Sequence, residues 1–135
     1  MRCGEMADSV VLEPQAASSE LRATMKLIQA IIAPEKLETV QDALATVEVF
    51  RFTITEVQGT GHQRAEAAGA AAPVEIEMFK KIKLEIAVNE SFVQPTIDAI
   101  MKSAGDDVVG AGKVLVLRLD DVIRIRTGEH GSEAI

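Results

Sequence analysis

Tyrosine and tryptophan are absent from this chain of 135 residues, and phenylalanine occurs only four times. A platform for single-stranded nucleic acid needs several exposed rings for bases to stack on, so that class of function is excluded. One cysteine, Cys3, rules out a disulfide framework and a thiolate zinc centre, and suits a reducing compartment. Two histidines are too few to build a His-based metal site within one chain. Basic residues are outnumbered, 14 Lys and Arg against 21 Asp and Glu, for a net charge of −7. Such a balance excludes a general polyanion binder while leaving room for one local basic pocket. No hydrophobic run approaches the roughly 20 residues of a spanning helix. The first segment has only Val10-Val11-Leu12 as an apolar run, too brief for a signal-peptide core. These absences make a cytoplasmic protein, without nucleic-acid binding or membrane insertion, the expectation.

Hydrophobic residues make up 47% of the chain, enough to offset ordering entropy and bury the core of one domain. Residues 1–24 show no sustained period and are expected to form a mobile N-terminal extension. The ordered pattern opens at Met25, which can itself serve as a start, and the domain runs over 25–135. Met25 to Ile32 is a β-branched run of strand length. Pro34 suits a first helical position, and Leu37, Val40, Leu44 and Val47 form the stripe of a helix over 34–47. Arg51 to Gln58 reads as a second strand. The stretch after Gly59 is small and Ala-rich without apolar anchors, which predicts a long mobile loop. From Lys81 to Val88 apolar residues alternate with Lys81, Lys83 and Glu85, the pattern of a half-buried strand. Ser91 is the expected N-cap of a second helix striped by Val93, Ile97, Ile100 and Ala104. Val114 to Leu119 is almost wholly apolar and reads as a central strand, and Val122 to Arg126 alternates once more.

The order β-α-β, loop, β-α-β points to an α+β ferredoxin-like βαββαβ sandwich with both helices on one sheet face. An echo of Lys26-Leu27-x-x-Ala30-Ile31 in Lys83-Leu84-x-x-Ala87-Val88 suggests a duplicated unit. A sheet face left open by the helices, and this density of Ile, Val and Leu, call for a partner and make homo-oligomerisation expected.

Three segments carry the chemistry. Gly110-Ala111-Gly112-Lys113 lets backbone approach an anion beside one positive charge, although its spacing is not that of a Walker A loop. The plainer reading is a glycine turn entering a strand with an exposed Lys. Arg124 and Arg126, two apart on an extended segment, would leave by one face as a fork for phosphate or carboxylate. With Lys113 they cluster within fourteen residues of an acidic chain. Gly59-x-Gly61-His62-Gln63 can present backbone donors and a polar side chain to a ligand. No carboxylate pair or nucleophile–base set accompanies any of them, so nothing argues for catalysis.

Met25 to Leu37, Thr53-x-Thr55-Glu56-Val57-x-Gly59-x-Gly61-x-Gln63, Gly110-x-Gly112-Lys113 and Val122-Ile-Arg-Ile-Arg-Thr-Gly-Glu129 together resemble the PII-type nitrogen-regulatory signal proteins. The resemblance covers residues 25–135. It implies a ferredoxin-like homotrimer binding ATP or ADP between subunits, with Gly61, His62 and Gln63 by the nucleotide and Gly110, Ala111, Gly112, Lys113, Arg124 and Arg126 meeting the phosphates. It also implies Mg²⁺ at Gln63, 2-oxoglutarate at Gln63 and Lys81, and a T-loop over about 60–79. That loop would act on a target such as an ammonium transporter or a nitrogen-metabolism enzyme. The sequence departs from the family pattern at the loop tip, where Ala70 to Val74 replaces the modifiable Tyr. It departs again at His62, usually Arg, at Ala111, usually Asp, and at Asp106-Asp107-Val108, which removes one positive charge and adds acids near the phosphates. Nucleotide binding is therefore expected to persist in weakened form. The alternative is a ferredoxin-like enzyme or weak ATPase acting on a phosphorylated ligand.

Overall fold

Apolar residues two apart and then four apart set the two layers of the domain. The computed structural model describes residues 25–63, 75–105 and 112–135. Strand β1 (Lys26–Ile32) leads through a 3₁₀ turn (Pro34–Lys36) into helix α1 (Leu37–Thr46). Strands β2 (Thr53–Gln63) and β3 (Glu75–Val88) follow, then helix α2 (Glu90–Ala104), strand β4 (Gly112–Arg118) and a second 3₁₀ turn (Gly131–Ala134). The sheet order is β2-β3-β1-β4 with every described neighbour antiparallel. That is the ferredoxin-like βαββαβ arrangement read from the sequence. The extension expected over 1–24 lies outside the described residues.

One sheet face carries the core. Ile28, Ala30 and Ile32 of β1 and Ile82, Leu84, Ile86 and Val88 of β3 are buried against Val40 and Leu44 of α1 and Ile100 and Ala104 of α2. Each such large aliphatic side chain contributes about 1.5–3 kcal/mol by leaving water. The strand echo noted in the sequence is out of phase with this core: Leu84 is buried, whereas Leu27 faces the open side. The phase that survives is the helical one, Asp42 with Asp98, which also equates Val40 with Thr96 and Leu44 with Ile100. Thr96 thus sits fully buried in a valine's place, with an unpartnered hydroxyl.

Four sequence expectations are corrected. The apolar run at Val114 is not central: β4 is an edge strand, and Leu115, Val116 and Leu117 are exposed. Among the described residues nothing covers its hydrophobicity, which is the signature of a contact surface rather than of a core strand. The mobile loop is shorter than its composition suggests, because β2 and β3 stay paired out to Gln63 and Glu75. Residues 64–74, its remainder, lie outside the described residues. Ser91 lies within the first turn of α2, and Asn89 takes the cap position without a side-chain capping bond. Val122 to Arg126 is not a strand. The Glu129 carbonyl accepts from the Arg124 N–H (2.9 Å) and the Arg124 carbonyl from the Gly128 N–H (2.7 Å), which folds the segment into a tight turn.

Helix α1 closes without a capping glycine. Val49 N–H donates to the Leu44 carbonyl (2.9 Å) and Glu48 N–H to that of Ala45 (3.0 Å), a Schellman closure with buried Leu44 and Val49 in contact range of the same turn. The closure needs a left-handed residue, and Glu48 supplies it at φ 65°. Glu48→Gly should therefore raise stability by about 1 kcal/mol, read as a higher urea midpoint at unchanged slope. A lower midpoint would show that the Glu48 side chain compensates for its backbone.

Candidate functional site

The register of the sheet decides where the basic residues stand. Lys113, second residue of β4, lies opposite Ile31, and Gly112 lies opposite Ile32. Lys113 is exposed and shares the open sheet face with Ile31 and Lys83. Behind it a small cavity of about 200 Å³ runs between Ile31, Met101, Gly105 and Gly112. Gly112 is held at φ +120°, and a Cβ there would overlap the Ile31 carbonyl oxygen. The glycine at this position is thus dictated by backbone approach. Gly110 and Ala111 lie outside the described residues.

Gly61, His62 and Gln63 occupy the far end of β2, opposite Glu77, Ile76 and Glu75. Gly61 leaves room for the Phe79 ring, whose edge would stand 3.3 Å from a Cβ. Lys81 is half-buried on β3 opposite Val57 and borders a cavity of about 350 Å³ with Glu56, Gln58 and Pro34. Among the described residues no group of three or more His, Cys, Asp or Glu is arranged to hold a metal ion.

Arg124 lies at the opposite end of the sheet. It borders a cavity of about 430 Å³ with Ala87, Val88, Asn89, Phe50 and Arg51. Val88 pairs with Lys26 at the start of β1, and Arg118 closes the same row, so this end is about five strand residues, roughly 17 Å, from Lys113. Arg124 Nη1 donates to Glu129 Oε1 (3.0 Å), and Nη2 reaches the carbonyls of Glu133 (3.4 Å) and Ile135 (3.3 Å). Thr127 Oγ1 donates to the same Glu129 oxygen (3.0 Å). Arg126, on the turn, is exposed. The extended fork expected of the two arginines is therefore absent. One guanidinium is anchored to the C-terminal turn and the other stands in solvent, because the chain reverses between them.

Lys113, Arg124 and Arg126 consequently do not form one cleft within a chain, as their nearness in sequence had suggested. Sequence reading also missed Phe50, Arg51 and Asn89 in the cavity beside Arg124. Phe50 and Arg51 connect α1 to β2, which begins at Thr53 rather than at Arg51 as read from the sequence, and the one available signal was a large ring adjacent to a charge.

Fold and site together define a ferredoxin-like α+β domain with basic groups at both ends of an open-faced sheet. The family model described as "Nitrogen regulatory protein P-II" matches residues 25–129, so the chain belongs to the P-II family. It is 46% identical over 114 residues to the nitrogen regulatory protein GlnK1 of Methanosarcina mazei, covering 82% of this chain and 97% of that one. To a nitrogen regulatory protein P-II of Bradyrhizobium diazoefficiens it is 40% identical, covering 82% and 100%. Among solved structures, a B. subtilis GlnK–ATP complex superposes with a TM-score of 0.71 at 27% identity, covering 82% of this chain and 95% of that one. Arabidopsis thaliana PII bound to citrate gives 0.68 at 30% identity, covering 84% and 94%. No helix among the described residues is long and apolar enough to cross a membrane.

Proposed function

We propose that the chain is a PII-type signalling subunit that binds ATP or ADP in clefts completed by a neighbouring copy. The observation that carries this reading is the separation of the basic groups. A nucleotide cannot touch both ends of one sheet, but it can lie where the Gly112–Lys113 end of one copy meets the Arg124–Arg126 end of the next. The uncovered apolar edge at Leu115, Val116 and Leu117 supplies the adhesive surface for such an assembly, read as a homotrimer. The B. subtilis relative solved with ATP supports the ligand class.

In this reading Gly110, Ala111, Gly112 and Lys113 hold phosphates from one side, Arg124 and Arg126 from the other, and Gly61 and His62 border the base. Gln63 and Lys81 are the proposed contacts for Mg²⁺ and 2-oxoglutarate. Since the described residues offer no carboxylate cage, Mg²⁺ would arrive with the phosphate oxygens, and Gln63 would supply one neutral ligand. The T-loop, about 60–79, would then bind or release a nitrogen-metabolism enzyme or ammonium transporter according to the nucleotide. That switch requires ATP and ADP to favour different loop states.

Titration calorimetry with ATP, with ADP and with ATP plus 2-oxoglutarate, paired with sedimentation for the oligomer, tests the proposal. No binding at millimolar nucleotide, or a monomer, would overturn it. Arg126→Ala and Lys113→Ala should each weaken nucleotide binding by about 1–3 kcal/mol, roughly 5- to 150-fold, through loss of a charge-assisted contact. Both residues are exposed, so unfolding stability should stay put. An unchanged affinity would count against the mapped site. Turnover abolished by Gln63→Ala would instead favour a weak ATPase.

A further inference from the structure

The segment that carries Arg124 closes on itself as a short antiparallel ladder. Gly131 N–H donates to the Val122 carbonyl (3.0 Å), Ile123 bridges His130, and Arg124 N–H donates to the Glu129 carbonyl (2.9 Å). Gly128, at φ 76°, lets the chain reverse between the two arms. Arg124 and Glu129 are therefore directly opposite, and opposite residues of such a pair project to the same side. That placement brings Glu129 Oε1 to Arg124 Nη1 at 3.0 Å. Thr127 holds the carboxylate in turn: its hydroxyl donates to the same Oε1 (3.0 Å) and accepts from Glu129 N–H (3.3 Å). Together with the carbonyls of Glu133 and Ile135, three acceptors among the described residues engage the Arg124 guanidinium, leaving two of its five N–H groups to meet an anion. We propose that Glu129 is a positioning residue for ligand binding: it fixes the Arg124 guanidinium in the orientation that receives a phosphate, and Thr127 fixes Glu129. This role rests on the nucleotide reading above.

Charge and geometry oppose each other here, so the sign of one substitution decides between them. A carboxylate 3.0 Å from the guanidinium offsets the positive charge that a phosphate would feel, and by charge alone its removal tightens binding. Positioning requires the reverse. A long side chain that is free before binding must give up its rotamer freedom on meeting the anion, whereas one already held avoids that cost. An isolated exposed ion pair would count for little, but this one belongs to a network in which one carboxylate oxygen accepts from two side chains. The cavity beside Arg124 also carries Glu48 and Arg51, so its lining is mixed in charge and does not by itself fix where a phosphate binds. The held direction of Arg124 does. Arg126, exposed at the tip of the same turn, stands beyond this network.

Calorimetric titration of the full chain with ATP tests the role. Glu129→Ala should weaken binding by about three- to tenfold, the cost of ordering one long side chain. Glu129→Gln keeps an oxygen acceptor and drops the charge, so it should bind at least as tightly as the native chain. Thr127→Val should weaken binding in the same direction as Glu129→Ala. In an Arg124→Ala background, Glu129→Ala should cause no further loss, because the residue it positions is gone. A second readout needs no ligand: in arginine side-chain NMR spectra, the Arg124 Nη signals, identified by their loss in Arg124→Lys, should be resolved in the native and Glu129→Gln chains and merged by rotation in Glu129→Ala. Glu129→Ala that binds ATP as tightly as the native chain or tighter overturns the proposal. So does Glu129→Gln as weak as Glu129→Ala, an equal loss without Arg124, or Nη signals indifferent to Glu129. A native chain that fails to bind ATP overturns the nucleotide reading and this role with it, and the first titration separates that result from a failure of the role alone.

Discussion

Gly112→Ala is expected to lower stability by about 3 kcal/mol or more, a far larger effect than any substitution at the neighbouring Lys113. Two independent costs act together. The residue is held at φ +120°, outside the range an L side chain adopts readily, and the added Cβ would overlap the Ile31 carbonyl oxygen. Neither cost can be relieved by moving β1, because that strand is hydrogen-bonded on both sides, to β3 and to β4. The first pairs of β4 must therefore separate. Urea unfolding measures the loss, and nucleotide titration of the surviving folded protein should show a weakened site. A variant as stable as the parent would mean that β4 does not begin in this conformation.

Leu84→Ala should cost about 3–5 kcal/mol. Leu84 is fully buried at the middle of β3, opposite Ala30 on one side and Ile54 on the other, with helices above. Ala30 is small and Ile54 is 41% exposed, so neither neighbour can close the space that the truncation leaves. Equilibrium denaturation should show the lower midpoint at unchanged slope. A loss under 1 kcal/mol would mean that the helices settle onto the sheet and collapse the cavity.

The alternation of Ile82, Leu84, Ile86 and Val88 with Lys81, Lys83 and Glu85 was legible because period two maps directly onto two faces of a half-buried strand. The stripes of both helices were legible for the same reason at period 3.6. Burial of β4 was not, because Val114 to Leu117 is apolar on both faces, and periodicity cannot tell a strand buried in its own sheet from one awaiting another chain. The hairpin base at Gln63 and Glu75 was hidden by glycine and small residues, whose pairing is set by the neighbouring ladder rather than by their own preference. At the candidate site, residue types were readable and their arrangement was not. Arg124 and Arg126 alternate as a strand would, yet the Thr127–Gly128 turn and the carboxylate of Glu129 send them apart.

The two edges of the sheet are chemically unlike. Strand β2 presents Thr53, Thr55, Glu56 and Gln58 to solvent around a single exposed Ile54, whereas β4 presents Leu115, Val116 and Leu117 in a row between Lys113 and Arg118. The basic groups are divided in the same polar sense, one set at each end. In the assembly proposed above, the Gly112–Lys113 end of one copy meets the Arg124–Arg126 end of the next, a head-to-tail contact. Head-to-tail contacts have two fates: a ring in which each surface is consumed, or a strand of subunits that grows for as long as subunits are supplied. In that proposed assembly, the angle at which one copy follows the next decides between the two, and a small closed number is the outcome that leaves no sticky end.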